Sequence, residues 1–446
     1  MNRTLYIESL GCAKNRVDSE IMLAAMVAGS FKPVSGPEEA DVIVLNTCGF
    51  LTSAVNESLD RFLELATYKN PEKGQCKCLV LAGCMSERYQ ENLLSELPEA
   101  DAVMGTSDYT QILMVVNQAL VSQERKAWFS PKTGYSEANL EAPRVQSTLA
   151  HYSWVKIAEG CSNMCSFCSI PALRGGFHSK KINLIEQECK ALLGSGVKEL
   201  NLIAQDTSSF GLDKGEDLWG LMQRLSSLDG DFWVRLFYSY PNLYPDQLFD
   251  LMNQDKRFVP YLDLPFQHIN DRVLKDMNRK ITEKELMALL ERAHNKLDRF
   301  AFRTTLIVGF PGETEQEYNQ LLNFVESGVV DHLGVFPYSD EDNIRSNRLD
   351  GKLDEALIEE RCQRIMEAQQ EVSLAKNQKQ VGQIQKVLVE GTSKETDLLL
   401  EGRNAFQAVD VDGVVLINEG HAEAGTFAQV EIIEAHPYDL VGKILE

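Results

Sequence analysis

Glu159-Gly-Cys161-Ser-Asn-Met-Cys165-Ser-Phe167-Cys168-Ser-Ile-Pro171 sets three cysteines at C-x3-C-x2-C within one short segment. Such a loop can wrap three thiolates around one corner of a cubane cluster, whereas a closed 4Fe-4S site normally takes four. Three ligands leave one iron open for a substrate or cofactor. A structural zinc site would need a fourth cysteine or histidine. The nearest, His178, would make C-x3-C-x2-C-x9-H, which is not a usual zinc spacing. A cluster serving electron transfer alone would want a fourth thiolate.

The loop follows an apolar, strand-like run at 153–158. Further runs at 199–204, 232–237, 261–264, 303–308 and 333–336 alternate with helix-compatible segments such as 184–193, 271–277 and 315–324. Six successive βα units with right-handed crossovers predict a partial (β/α)6 barrel over 148–378, two units short of a full one. The cysteine loop then lies at the C-terminal mouth, where barrel enzymes keep their active sites. Upstream, runs at 4–10, 41–45 and 78–81 each pass through a turn into a polar helical segment, predicting an N-terminal parallel α/β domain over 1–125. The polar stretch 130–148, with Pro131, Gly134 and Pro143, reads as a linker. A charged helical stretch at 353–380 leads into short strand-like runs at 383–390, 398–401, 408–411, 414–417 and 428–433. Separated by Gly391, Gly402, Gly413 and Gly425, these predict a small all-β barrel over 379–446. The expected class is therefore α/β with three parts.

A second cysteine pattern lies upstream. Cys12, Cys48 and Cys84 stand 36 residues apart in each step, and each closes a strand-like run. Carboxyl ends of parallel strands share one sheet edge, which is where open α/β sheets bind ligands. Any one of these cysteines alone reads as a small core residue; three with the same placement can converge as a second three-thiolate site, a reading that their position upstream of the central cysteine loop favours. Cys76, Cys78, Cys189 and Cys362 have no such placement and read as structural.

Composition narrows the setting. The hydrophobic share of 44% and charged share of 25% are those of a globular protein. No run of about 18 apolar residues predicts a membrane span, and no export signal stands at the N-terminus, so a cytoplasmic location is expected. Clustered cysteines in a reducing compartment point to metal rather than disulfides. The formal charge of −22 argues against a broad nucleic-acid-binding face. It suits a basic protein partner.

C-x3-C-x-aromatic-C, with Phe167 in the aromatic slot, resembles the signature of the radical S-adenosylmethionine superfamily. The resemblance implies that S-adenosylmethionine chelates the free iron and is cleaved reductively to a radical that abstracts hydrogen. It further implies cofactor contacts at Phe167, at Gln205 and Asp206 after the second barrel strand, at Gln267 after the fourth, and at Gly309 and Glu313 after the fifth. With Cys12, Cys48 and Cys84 upstream and a TRAM-like barrel downstream, nearly the whole chain resembles the methylthiotransferase family. That implies two 4Fe-4S clusters, S-adenosylmethionine, and an electron donor such as flavodoxin or ferredoxin.

Within the family, Ser9-Leu-Gly-Cys-Ala-Lys-Asn15, Val17-Asp-Ser-Glu20, Lys156-Ile-Ala-Glu-Gly-Cys161 and Tyr261-Leu-Asp-Leu-Pro-Phe-Gln-His268 are similar to the branch that modifies an aspartate β-carbon of ribosomal protein uS12. Ala13 departs from it, since proline is more usual there. The alternative is methylthiolation of tRNA adenosine; one of another class is a non-catalytic iron–sulfur or electron-carrier protein. Residues 381–446 weigh against tRNA, with the cations Lys386, Lys394, Arg403 and Lys443 facing twelve acidic residues. Arg174, Lys180 and Arg279 are candidate grips for the target aspartate.

Overall fold

Val42-Ile-Val-Leu-Asn-Thr47 and Cys78-Leu-Val-Leu-Ala-Gly83 are mostly apolar, as strands covered on both faces tend to be. In the computed structural model, which describes residues 3–122, 124–129 and 137–445, they are the two central strands of a six-stranded sheet. Its strands are β1 (Thr4–Ser9), β2 (Lys32–Pro33), β3 (Val42–Thr47), β4 (Cys78–Gly83), β5 (Ala102–Met104) and β6 (Lys126–Trp128), in the order β2-β1-β3-β4-β5-β6 and all parallel. β2, β5 and β6 were not expected from the sequence; they are too short to carry a period. β3 and β4 pair with Val42 opposite Cys78, so the 36-residue step between Cys48 and Cys84 is the register itself. β1 pairs with β3 with Leu5 opposite Val42, a step of 37, which puts Cys12 one residue further past its strand. Gly11, at φ +86°, turns the chain there.

The central region places six parallel strands in sequence order. β7 (Tyr152–Lys156) opens it, followed by the two-residue β8 (Ala158–Glu159) and β9 (His178–Ser179), which pair antiparallel and tie the base of the cysteine loop. β10 (Glu199–Ile203) lies between β7 and β11 (Trp233–Leu236). β12 (Tyr261–Asp263), β13 (Ala301–Val308) and β14 (His332–Pro337) form a second parallel set. A bridge from Val234 to Phe258 links the two sets into one partial barrel. Thr314 and Thr282 open their helices with full capping boxes to Glu317 and Glu285, a start signal legible in the sequence. The stretch between the first two regions is anchored where described. Arg144 reaches Glu188 at 2.7 Å and pairs with Glu20, and Asn139 bonds the Ser107 carbonyl at 2.7 Å. Residues 130–136 of the expected linker lie outside the described residues.

The helix Glu355–Gln378 leads to a closed barrel of β15 (Ile384–Thr392), β16 (Leu400–Asn404), β17 (Val415–Glu419), β18 (Phe427–Ala435) and β19 (Leu440–Ile444), ordered β15-β16-β17-β19-β18. The expected strand at 408–411 is instead a turn. The Asp412 carboxylate accepts the Ala408 N–H at 2.8 Å and the Tyr261 hydroxyl at 2.6 Å, so Ala408 and Val409 bury against the central barrel. β19 closes the barrel in its place, with Gly442 packed so closely on β18 that a Cβ would lie 2.4 Å from Val430. No helix among the described residues is long and apolar enough to cross a membrane.

Charge locks this barrel to the N-terminal ends of the central strands. Glu199, the first residue of β10, accepts from Arg235 at 2.8 Å and from Arg403 at 2.5 Å, all three fully buried or nearly so. Arg403 also meets Glu390 at 2.8 Å, and Glu390 pairs with His151 at 3.2 Å. Burial pushes the Glu390 carboxyl up, but His151 and Arg403 outweigh it and hold it at about 2. A carboxylate depressed in this way stabilises the fold above its ordinary range and loses that contribution as pH falls. Urea unfolding should therefore show stability declining between about pH 4.5 and pH 2. Arg403→Met should cost about 3–5 kcal/mol at pH 7, because it leaves buried carboxylates short of a partner.

Candidate active site

The central cysteine loop is held from three sides. Gly160, at φ +75°, passes so close to the returning chain that a Cβ would meet the Gly176 carbonyl at 2.0 Å, and the Cys161 N–H donates to the Gly175 carbonyl at 3.2 Å. Asn278 donates to the Met164 carbonyl at 2.7 Å, and the Ser166 hydroxyl to the Asp276 carbonyl at 2.8 Å. Arg279 stacks on the Tyr240 ring at 4.0 Å and reaches the Cys165 sulfur at 3.5 Å. Asn163 donates to Asp206 at 2.7 Å, tying the loop to the end of β10. Burial pushes the Cys161 thiol up and the Cys168 thiol up to about 12. Cys165 lies within electrostatic reach of both.

The N-terminal cysteines also converge. Cys12 precedes the helix Ala13–Ala28, and Cys84 begins the helix Cys84–Tyr89. The Cys48 N–H is held by the Ser58 hydroxyl at 3.1 Å. A Cβ on Gly11 would fall 2.9 Å from Cys48 Cβ, and one on Gly49 would fall 2.5 Å from the Met85 nitrogen, so the three turns nest against one another. Cys12 is exposed, Cys48 half-buried and Cys84 buried. Burial pushes Cys48 up and Cys84 up to about 12, with Arg174 pulling the latter back. The remaining four cysteines stand apart from both groups: Cys76, Cys78 and Cys189 are buried in apolar cores, and Cys362 packs at the edge of one.

Arg174 ties the N-terminal cysteines to the base of the central cysteine loop. It donates to the Cys84 sulfur through both Nε and Nη2 at 3.3 Å, to Asp18 at 2.7 Å, to Glu159 at 3.2 Å, and to Asn15. Lys156 pairs with Glu159 at 2.7 Å and with Asp18. Glu159 lies two residues before Cys161. Burial pushes its carboxyl up, but Lys156 and Arg174 more than reverse this and hold it well below the usual carboxylate range. Two anions and two cations are thus buried together at the contact between the first sheet and the central barrel. The sequence offers Arg174 as a candidate grip for substrate; the structure engages it here on all sides. Lys180 is likewise paired, with Glu188 at 2.5 Å. Asn15, Asp18 and Lys156 lie in the segments that carry the family resemblance, but their joint role is not legible there, because the contacts exist only once three elements meet.

The expected cofactor contacts are distributed unevenly. Gln205 donates to Glu159 while its Oε1 is buried without a partner. Asp206 binds Asn163 and the hydroxyls of Ser208 and Ser209, at 2.7–2.9 Å. Phe167 faces a small apolar cluster with Val273, Met277 and Phe310. Gln267, at φ +79°, bonds Thr305. Gly309 donates to Glu313 at 3.1 Å, and Glu313 also takes Arg361 at 2.6 Å.

Among the described residues no three His, Cys, Asp or Glu side chains close on a point fit for a single ion. An iron–sulfur cubane is a wider body, and thiolates are its ligands. Two separate sets of three unbridged thiols fit such groups, and Gly175 and Gly176 leave open space beside Cys161. The orphaned Gln205 oxygen also suits a polar ligand there.

Fold and loop together define a radical-SAM enzyme, a class that works with iron–sulfur and S-adenosylmethionine. The Radical SAM superfamily matches residues 155–325, the Uncharacterized protein family UPF0004 residues 4–105, and the TRAM domain residues 381–445. The chain is 41% identical to the ribosomal protein uS12 methylthiotransferase RimO of Geotalea uraniireducens, over 98% of this chain and 97% of that one. It is 42% identical to the protein of that name from Desulfotalea psychrophila, over 99% of each. The radical S-adenosylmethionine methyltransferase TsrM of Kitasatospora setae, solved with cobalamin and a 4Fe-4S cluster, shares the fold at a TM-score of 0.54 and 10% identity, over 76% of this chain and 72% of that one. The chain belongs to the RimO family of radical-SAM methylthiotransferases.

Removing the shared guanidinium by Arg174→Gln leaves Asp18 and Glu159 with Lys156 alone and should destabilise the protein by about 3–5 kcal/mol. Adding Asp18→Asn should recover part of that loss, measured as the coupling in a double-mutant cycle of denaturant unfolding.

Proposed function

We propose that this enzyme replaces one hydrogen on the β-carbon of an aspartate in ribosomal protein uS12 with a methylthio group, acting on the protein or on the small ribosomal subunit. The observation that carries the reading is that one buried guanidinium, Arg174, contacts Cys84 of the N-terminal set and also Glu159, two residues ahead of Cys161 in the central set. A C–H bond exchanged for C–S needs a hydrogen acceptor and a sulfur source on the same carbon. The names of the full-length relatives supply the substrate.

In this reading Cys161, Cys165 and Cys168 ligate one 4Fe-4S cluster, and Cys12, Cys48 and Cys84 ligate a second. When bound with S-adenosylmethionine, these groups supply hydrogen abstraction from an unactivated carbon and a methylated sulfur to put in its place. Residues 1–125 carry the sulfur-bearing site, 148–378 the radical site and 379–446 the TRAM barrel. An electron enters from a donor such as flavodoxin or ferredoxin. The chain's own residues hold and shield. Asn163, Ser166 and Asn278 fix the loop, Phe167 seals its outer side, and Gln205, steered by Glu159, offers its free oxygen to the cofactor.

The TRAM barrel favours a protein substrate over tRNA. Arg403 is buried in the seam, Lys386 is paired with Asp231 at 2.5 Å, and Lys443 with Glu431 at 3.2 Å. Three of its four cations are thus already paired. An RNA-gripping surface needs free cations, and a lysine-rich ribosomal protein does not.

The intact mass of uS12 from cells with and without this gene tests the substrate. Deletion should remove about 46 Da, one SCH3 in place of one hydrogen. An unchanged uS12 mass together with loss of a methylthio-adenosine from tRNA would overturn the reading. Anaerobic reconstitution should load about eight irons per chain, four per cubane. Replacing either cysteine set by alanine should leave about half, and only the central set should abolish S-adenosylmethionine cleavage. Full iron loading after loss of Cys12, Cys48 and Cys84 would return those residues to a packing role.

A further inference from the structure

Lys14 lies two residues after Cys12, in the first turn of the helix Ala13–Ala28. Its ammonium sits 3.5 Å from the centre of the Tyr238 ring. Tyr238 follows β11 at the C-terminal mouth of the central barrel, so this contact spans the space between the N-terminal cysteines and the barrel opening. Among the described residues no carboxylate pairs with Lys14. Nearby cations are engaged: Arg174 and Lys156 with Asp18 and Glu159, Arg303, lower in the barrel, with Asp263 at 2.9 Å, and Arg279 with Cys165 and the Tyr240 ring.

Tyr238 is itself held in an unusual shape. Its φ is +57°, a region that bulky side chains rarely occupy and that persists when the surroundings over-determine it. Both of its peptide groups are pinned. Its N–H donates to Asp263 at 2.8 Å, and its carbonyl accepts the Thr207 N–H at 3.0 Å. In this conformation the ring lies beneath the Lys14 ammonium. A ring face attracts a cation without accepting hydrogen bonds from all three of its N–H donors. Lys14 is therefore placed, desolvated on one side, and left with donor capacity on the other.

We propose that Lys14, seated on Tyr238, binds the carboxylate of the aspartate side chain that is to be modified and so sets the substrate's identity. This rests on the uS12 reading above. The β-carbon of aspartate bears the carboxylate directly, so gripping the carboxylate fixes the reacting carbon within one bond. Asparagine offers the same shape without the charge, and a site built around an ammonium discriminates against it.

The test uses the full chain after reconstitution, with uS12 carrying either aspartate or asparagine at the modified position. Affinity is read by fluorescence anisotropy and modification by mass. Wild type should prefer the aspartate form by on the order of ten- to a hundredfold, the range of a hydrogen bond to a charged group. Lys14→Met should bring that ratio close to one, and Lys14→Arg should restore most of it. Iron content and the melting temperature of each variant confirm that it is loaded and folded. If Lys14→Met binds uS12 and keeps the wild-type ratio, Lys14 is a ring-packed surface cation and the proposal falls while the uS12 reading stands. If wild type neither binds nor modifies either form of uS12, both fall.

Discussion

Four buried charges hold this enzyme in its working shape. Asp18 comes from the first helix, Lys156 and Glu159 from the first barrel strand and its continuation, and Arg174 from the short helix after the cysteine loop. None could be buried alone, because an isolated ion in a low-dielectric interior costs several kcal/mol. Together they are neutral, and each needs the others from a different segment. The first sheet therefore cannot swing away from the barrel without exposing or stranding charge. The same guanidinium carries its two remaining contacts to the Cys84 sulfur and Asn15, so the joint between the two regions is also part of the site.

A second clasp acts on the far side. The buried Glu341, just after β14, accepts the Thr52 N–H at 2.7 Å and pairs with Arg88 at 2.8 Å. Thr52 follows the Cys48 turn and Arg88 the Cys84 turn. The first sheet is thus tied near the first strand of the partial barrel by Arg174 and after its last strand by Glu341. Those two edges are the ones a six-stranded barrel leaves unpaired. The cysteine-bearing edge of the sheet spans between them.

Much of this was legible in the sequence for identifiable reasons. The apolar runs that became β3 and β4 are continuous because both their faces are buried, and continuity is what a reader of sequence detects. The 36-residue rhythm of Cys48 and Cys84 was legible because it equals a strand register. The turn at 408–411 was misread because its apolar residues serve the central barrel rather than their own sheet. β19 lies just behind Pro437 and Asp439, and pairs parallel with β17 and antiparallel with β18, so no simple hairpin marks it in the sequence. The charge cluster and the seating of Lys14 on Tyr238 were illegible for a deeper reason. Each depends on side chains from separate elements meeting, and neither leaves a period or a spacing behind.

The apolar cluster that runs from the first helix through Trp154, Phe237 and Tyr261 continues into Ala408, Val409 and Leu388 of the C-terminal region. With Glu199, Arg235 and Arg403 locked beneath it, the central barrel has a solid floor. A chamber with a floor is a cul-de-sac. Whatever reaches the cysteines must leave by the side through which it came. A polypeptide must therefore present its target residue from the mouth, and a strand that threads through has no path.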